Sequence, residues 1–220
     1  MKKIICFFIL LIFFGAVFFI GWTQIKVKPD SYAIVISKTS GVNPKPVIPG
    51  EFSWHWQFLL PTNAELKIFS INPVNAKKTI SGSVTNPNSI QNIDYSFDFA
   101  ISLTISPETL LQLYNHNQIT SQQTLDDYLQ NIATSIAQMS ADYIINKIKT
   151  DENFSMEKLS RNEIVRSIQY QKIYPFVDLM VLSVESYKIP DYKAYMNYKN
   201  SILQNEPSLI DSKDDENNLD

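Results

Sequence analysis

The chain has 220 residues, 45% of them hydrophobic, 12% aromatic and 19% charged, with a formal net charge of −3. That is apolar material for one core and too little length for two large domains. The acidic balance, with no Lys/Arg run longer than two, argues against a nucleic-acid partner.

The single cysteine, Cys6, excludes an intrachain disulfide. The two histidines, His55 and His116, have no partner cysteine with which to build a His/Cys metal cluster, and no cofactor is expected. The first element is apolar. Lys2 and Lys3 precede Ile4–Trp22, nineteen residues without a charge. As a helix these span about 28 Å, close to the ~30 Å hydrocarbon core of a bilayer. Residues 1–24 are therefore read as a transmembrane anchor, running from Ile4 to Trp22, whose indole suits the membrane interface. The alternative is a cleaved signal peptide that releases a secreted or surface-exposed binding domain. Such a peptide has an apolar stretch of ~7–15 residues and a small-x-small cleavage site; here Gly21-Trp22-Thr23 would put threonine at its last position. Lys2 and Lys3 on one side, against Lys26, Lys28 and Asp30 on the other, favour a cytoplasmic N-terminus and an extracytoplasmic domain.

Ile25–Ser37 reads as a strand broken at Pro29-Asp30, and Ser40–Gly50, with three prolines and two glycines, as a loop. Phe52, Trp54, Trp56 and Phe58 alternate with Ser53, His55 and Gln57, which predicts a strand with one aromatic face. A strand over about Glu65–Ile71 and a polar, proline-bearing stretch to about Asn92 follow. Tyr95–Ile105 is the clearest strand: Tyr95, Phe97, Phe99, Ile101, Leu103 and Ile105 share one face, as in a half-buried antiparallel sheet.

Ser106-Pro107-Glu108 then opens a short helix, and a longer one starts near Ser121 with a stripe of Leu125, Leu129, Ile132, Ile136, Met139 and Tyr143. A third helix is predicted over about Ser155–Gln171. The last strand, Phe176–Ile189, shifts its apolar phase near Ser183, which suggests a bulge. Residues 191–205 read as a short helix and 206–220 as an acidic, disordered tail.

The order of these elements resembles the SPFH or band 7 family of stomatins, prohibitins and flotillins. An anchor leads into Val27-Lys28-Pro29-Asp30-Ser31-Tyr32-Ala33-Ile34-Val35, then Val47-Ile48-Pro49-Gly50-Glu51-Phe52-Ser53-Trp54 and Leu60-Pro61, then strand, helices and a strand closing on Ile189-Pro190. The resemblance covers residues 25–190. It implies an α+β fold, with a β-rich subdomain at the membrane followed by a mixed α/β subdomain. It also implies a non-catalytic scaffold or regulator of membrane proteins and proteases, working in homo- or hetero-oligomers. Two features depart from the family pattern. Tyr174-Pro175-Phe176 stands where a glycine is common, and the long charged coiled coil is missing, since 191–204 offers only about two heptads. Without the coiled coil, small oligomers or a role as an accessory partner stand as alternatives to large rings.

No G-x-S-x-G, P-loop, G-x-G-x-x-G or H-E-x-x-H occurs, so no catalytic site is predicted. A Ser/His/Asp arrangement would have to use His55, on the polar face of the aromatic strand, or His116, at a helix end where it meets terminal carbonyls. Asp126-Asp127 and Asp151-Glu152 read as solvated charges near helix starts. Trp54, Trp56 and Phe58 are expected to form a buried sheet face, and Leu59 and Leu60 to touch lipid.

Overall fold

A computed structural model describes residues 2–84, 93–151 and 153–189. It is an α+β structure: an N-terminal apolar helix followed by two small antiparallel sheets, the second covered by helices on one side. Helix α1 (Lys2–Gly21) carries no charge after Lys3 and exposes every described side chain except half-buried Val17 and buried Gly21.

The first sheet has the order β2-β1-β3, from β1 (Ser31–Ser37), β2 (Gly41–Val42) and β3 (Ala64–Ser70). Strand β1 is central and buried on both faces, which explains its unbroken apolar run, Tyr32–Ile36. Ala33 and Val35 join Val27 and Val47 in a small cluster, while Ile34 and, from β3, Phe69 enter the main core. Thus β1 ties the two parts of the molecule together through side chains that alternate between their cores.

The second sheet has the order β4-β5-β6, from β4 (Val74–Val84), β5 (Ile93–Ile105) and β6 (Val177–Lys188). The inward side chains of β5 are Phe97, Phe99, Ile101, Leu103 and Ile105, all nearly or fully buried, so the alternation read from the sequence sets the register. Helix α3 (Gln122–Thr150) lies across β4 and β5. Its stripe of Leu125, Leu129, Ile132, Ile136 and Ile144 is interleaved with Ala133, Ala137 and Ala141, whose small side chains let helix and sheet approach closely.

Caps set the helix limits. Ser106 accepts from the Thr109 N–H at 3.2 Å and Pro107 takes the first turn of α2 (Pro107–Asn115). Ser121 and Thr124 form a capping box at the start of α3.

Five expectations are corrected. The strand over Phe52–Phe58 does not form: Trp54 makes one isolated bridge to Trp22, and Trp56–Leu59 is a 3-10 turn. Buried Gln57, which donates to Ser40 Oγ at 3.2 Å, points inward while Phe52 and Trp56 point out. The alternation is real, but it follows a loop's turns and not a pleat. Ile25 lies in a 3-10 turn (Gln24–Lys26), so the first strand starts only at Ser31, after Pro29.

The polar stretch before Asn92 contains β4, whose inward positions Val74, Ala76 and Ile80 carry a weak period-two signal that its lysines and serines obscure. The helix expected over Ser155–Gln171 is divided into a 3-10 turn (Met156–Lys158), α4 (Arg161–Ile168) and α5 (Tyr170–Ile173). Ser160 caps α4 from within the expected span, and Gln169 takes a left-handed φ of 48° that ends it.

Asp151 also departs from expectation, because it ends α3 rather than starting a helix: its N–H donates to Lys147 O and its carboxylate accepts from the Asn153 N–H. The bulge expected near Ser183 is present as two register shifts flanking it, which leave Met180 and Glu185 as extra residues. Residues 191–205 and 206–220 lie outside the described residues.

Truncating Phe99, which is fully buried between β5 and α3, should lower stability by ~3–5 kcal/mol in a urea transition. Lys77→Ala, which removes a solvated ion pair with Glu185, should leave the transition midpoint unchanged.

Candidate membrane-exit collar

A helix ends with carbonyls that have no partner within it. At the end of α1 three of these find donors. The indole Nε1–H of Trp54 donates to Phe18 O at 3.0 Å, the Trp22 N–H to Phe19 O at 3.3 Å, and the His55 N–H to Gly21 O at 2.8 Å. One residue on, the Thr23 N–H donates to Ser53 O at 3.0 Å, and its hydroxyl donates to Ser53 O and Oγ. Residues 18–23 are thereby stitched to 53–55. Gly21 is required by contact and not by conformation, because a Cβ there would run into the Trp54 indole.

Around this seam stands an aromatic collar. Phe18 stacks on Phe52 at 6.0 Å, and Trp22 packs against both. The Trp56–Leu59 turn lies against α1, with Trp56 48% and Leu60 46% exposed beside it, while Leu59 is half-buried. Lys26 Nζ sits 4.8 Å from the centroid of the Phe58 ring. All three tryptophans of the chain belong to this collar.

The predicted membrane residues are thus sorted. Trp22 packs within the collar, Leu60 is exposed just after its turn, Leu59 is half-buried, and Ile4 lies at the far end of α1. The buried aromatic face expected for Trp54, Trp56 and Phe58 is not formed, since Trp56 is exposed and the other two are half-buried.

His55 is the one titratable side chain in the seam. Its Nε2 lies 2.8 Å from Ser53 Oγ and its Nδ1 lies 3.2 Å from Asn43 Nδ2. The row Ser53–His55–Asn43 superficially matches a nucleophile, base and orienting group. Its hydrogen bonds run the other way. The Lys45 N–H donates to Asn43 Oδ1 at 2.9 Å, so the amide turns its NH2 to the ring. Nδ1 must then accept, the ring proton sits on Nε2, and His55 donates to Ser53 instead of taking its proton. Burial also holds the imidazole below its ordinary pKa.

Sequence reading missed Asn43 and Ser53 because a loop fold brings them to the ring; neither lies at a motif spacing. His116, at the end of α2, places Nδ1 2.8 Å from Gln112 O, the terminal-carbonyl role expected for it.

A second polar group lies on the open face of the second sheet. Asp98, on β5, accepts from Ser186 Oγ on β6 and from Thr79 Oγ1 on β4 at 2.6 Å, and these bonds, helped by Lys77, hold its carboxyl below the usual range. It is a tie across three strands. Among the described residues, no group of three or more His, Cys, Asp or Glu side chains is placed to hold a metal.

No protein-family model matches the chain. An alignment 191 residues long, which covers 80% of the chain, is 27% identical to an uncharacterized protein of Treponema pallidum (strain Nichols) and spans 62% of that protein's length. Helix α1 is long and apolar enough to cross a membrane, a test that a signal sequence also passes.

Replacing Gly21 by Val should expel the Trp54 indole, break its bond to Phe18 O and cost the seam ~1–3 kcal/mol. The check is a red shift of tryptophan emission with faster proteolysis near residues 24–30. Gly15→Val, where a Cβ meets nothing within 4 Å, should change neither.

Proposed function

We propose that this chain is a membrane-anchored, non-catalytic scaffold or regulator of the band 7 type, acting on membrane proteins or proteases through protein–protein contacts. The observation that carries the reading is the seam. The end of the apolar helix is built into the domain by backbone and indole hydrogen bonds, so the helix serves the fold as well as preceding it. Buried Gly21 and Thr23, the ends of the candidate cleavage site, are part of that seam, which favours a retained anchor over a released domain.

Two further features support the band 7 resemblance. A small all-β sheet stands next to the anchor, and a sheet with helices on one side follows it in sequence. The exposed collar residues Phe52, Trp56 and Leu60, beside Ile25, suit the interfacial layer of the bilayer that α1 enters. The reversed polarity of the Ser53–His55–Asn43 row supports a non-catalytic role. The N-terminus is assigned to the cytoplasm and the domain to the opposite side, from the Lys2-Lys3 bias.

Because every tryptophan lies in the collar, tryptophan emission, excited selectively over the eleven tyrosines, reports on it alone. In full-length protein reconstituted with lipids brominated near the headgroup, emission should be strongly quenched, and Trp56→Phe should remove part of the quenched signal. Emission indifferent to bromine would refute a collar seated in the interface. For assembly, the native mass of the complex extracted in mild detergent should exceed that of one chain and include a membrane partner. A strict monomer with no partner would remove the scaffold reading. N-terminal sequencing of that material should recover residues 1–22; their absence would favour the secreted domain.

A further inference from the structure

We propose that His55 is a pH-responsive latch: adding a second proton to its ring unlocks the seam that fixes the end of α1 to the domain. The geometry permits one proton on the ring and no more. Asn43 Oδ1 is held by the Lys45 N–H, so Asn43 can offer His55 Nδ1 only a donor. A proton on Nδ1 would place two N–H groups face to face at 3.2 Å. Relief requires either that Asn43 turn over and abandon the Lys45 N–H, or that the ring leave.

Departure of the ring reaches α1 directly. The His55 N–H holds Gly21 O, and Ser53, the ring's other partner, holds both the N–H and the hydroxyl of Thr23 through its carbonyl. One proton is therefore coupled to three of the bonds that join helix and domain.

Nothing nearby offsets the charge. The segments packed around His55 carry Lys45, Glu51 and Lys26. None of their charged ends pairs with the ring, and Lys26 is turned over Phe58. Among the described residues the only ion pairs are Lys77–Glu185 and Lys147–Glu163, both in the second sheet and its helices. The end of α1 brings no charge at all.

The direction follows from burial, which lowers the pKa of the folded state below that of the unfolded chain. The seam is whole above about pH 6.5 and weakens as pH falls from there through the folded value. Acidification on the side of the membrane that holds the domain would thus convert a rigidly mounted domain into one tethered by α1 and the residues after it.

The latch rests on the anchored reading of α1, and its test is separate from that reading's. The full chain is placed in lipid nanodiscs, and hydrogen exchange at the Thr23 and His55 amides is followed with pH, corrected for the intrinsic exchange rate. Protection should be constant above about pH 7 and fall roughly tenfold by about pH 5. In Asn43→Asp, a carboxylate accepts the Nδ1 proton, so protection at Thr23 should persist at the lower pH. Unchanged protection in the native chain overturns the proposal, as does an equal loss in Asn43→Asp, which would mark general acid loosening. Failure of the anchored reading would show itself differently, as missing N-terminal residues in the purified chain.

Discussion

A helix that leaves an apolar medium carries its last carbonyls to a place where water is scarce and the chain has not yet turned. Each carbonyl left without a donor there costs free energy on the order of a lost hydrogen bond. In this chain two of the donors come from Trp54 and His55, more than thirty positions along, and meeting that need organises the first sheet. The return of the chain to Trp54 and His55 closes the Ser40–Gly50 loop back on β1, with Val47 paired to Ala33. The small core of Val27, Ala33, Val35 and Val47 forms beneath it.

The two parts of the molecule are held by different physics. The part that follows α1 has a small apolar cluster and relies on hydrogen bonds: the seam, and Asn63, whose side-chain amide donates to Ser37 Oγ, Thr39 Oγ1 and Gln57 O. The second sheet and α3 form a large apolar core in which the aromatic and branched side chains of β5 meet a helix with alanines between its larger residues. A polar junction responds to protonation, whereas an apolar core does not. The proposed sensitivity of the collar and the expected constancy of the rest share this origin.

Elements with strong internal periodicity were legible. The face of β5 and the start and stripe of α3 could be read directly, because large apolar side chains recur at every second position from Phe97 to Ile105 and Ser121 stands just before a helical stripe. Strand β4 was not, because its partner supplies most of the apolar surface and Lys77, Lys78 and the serines dilute its own signal. Phe52–Phe58 misled in the opposite direction. An alternation of aromatic and polar residues looks like a strand wherever it occurs, yet these aromatics serve the helix end and the open surface beside it, while Gln57 takes the buried position. The apolar helix and Trp22 at its end were evident from composition and order; the partners of Trp22 were not.

The sequence by itself determined that one apolar helix precedes an α+β domain, that its single cysteine leaves no intrachain disulfide, and where the most periodic strand and helices lie. Those properties depend on composition and on neighbours a few residues apart. Only the tertiary structure decided that the helix end is locked to the domain, that Gly21 must lack a side chain, and that His55 lies between Asn43 and Ser53 with its proton on Nε2. Each of these depends on at least one contact between residues ten or more positions apart, and hydrophobic pattern carries no record of which donor will meet which acceptor.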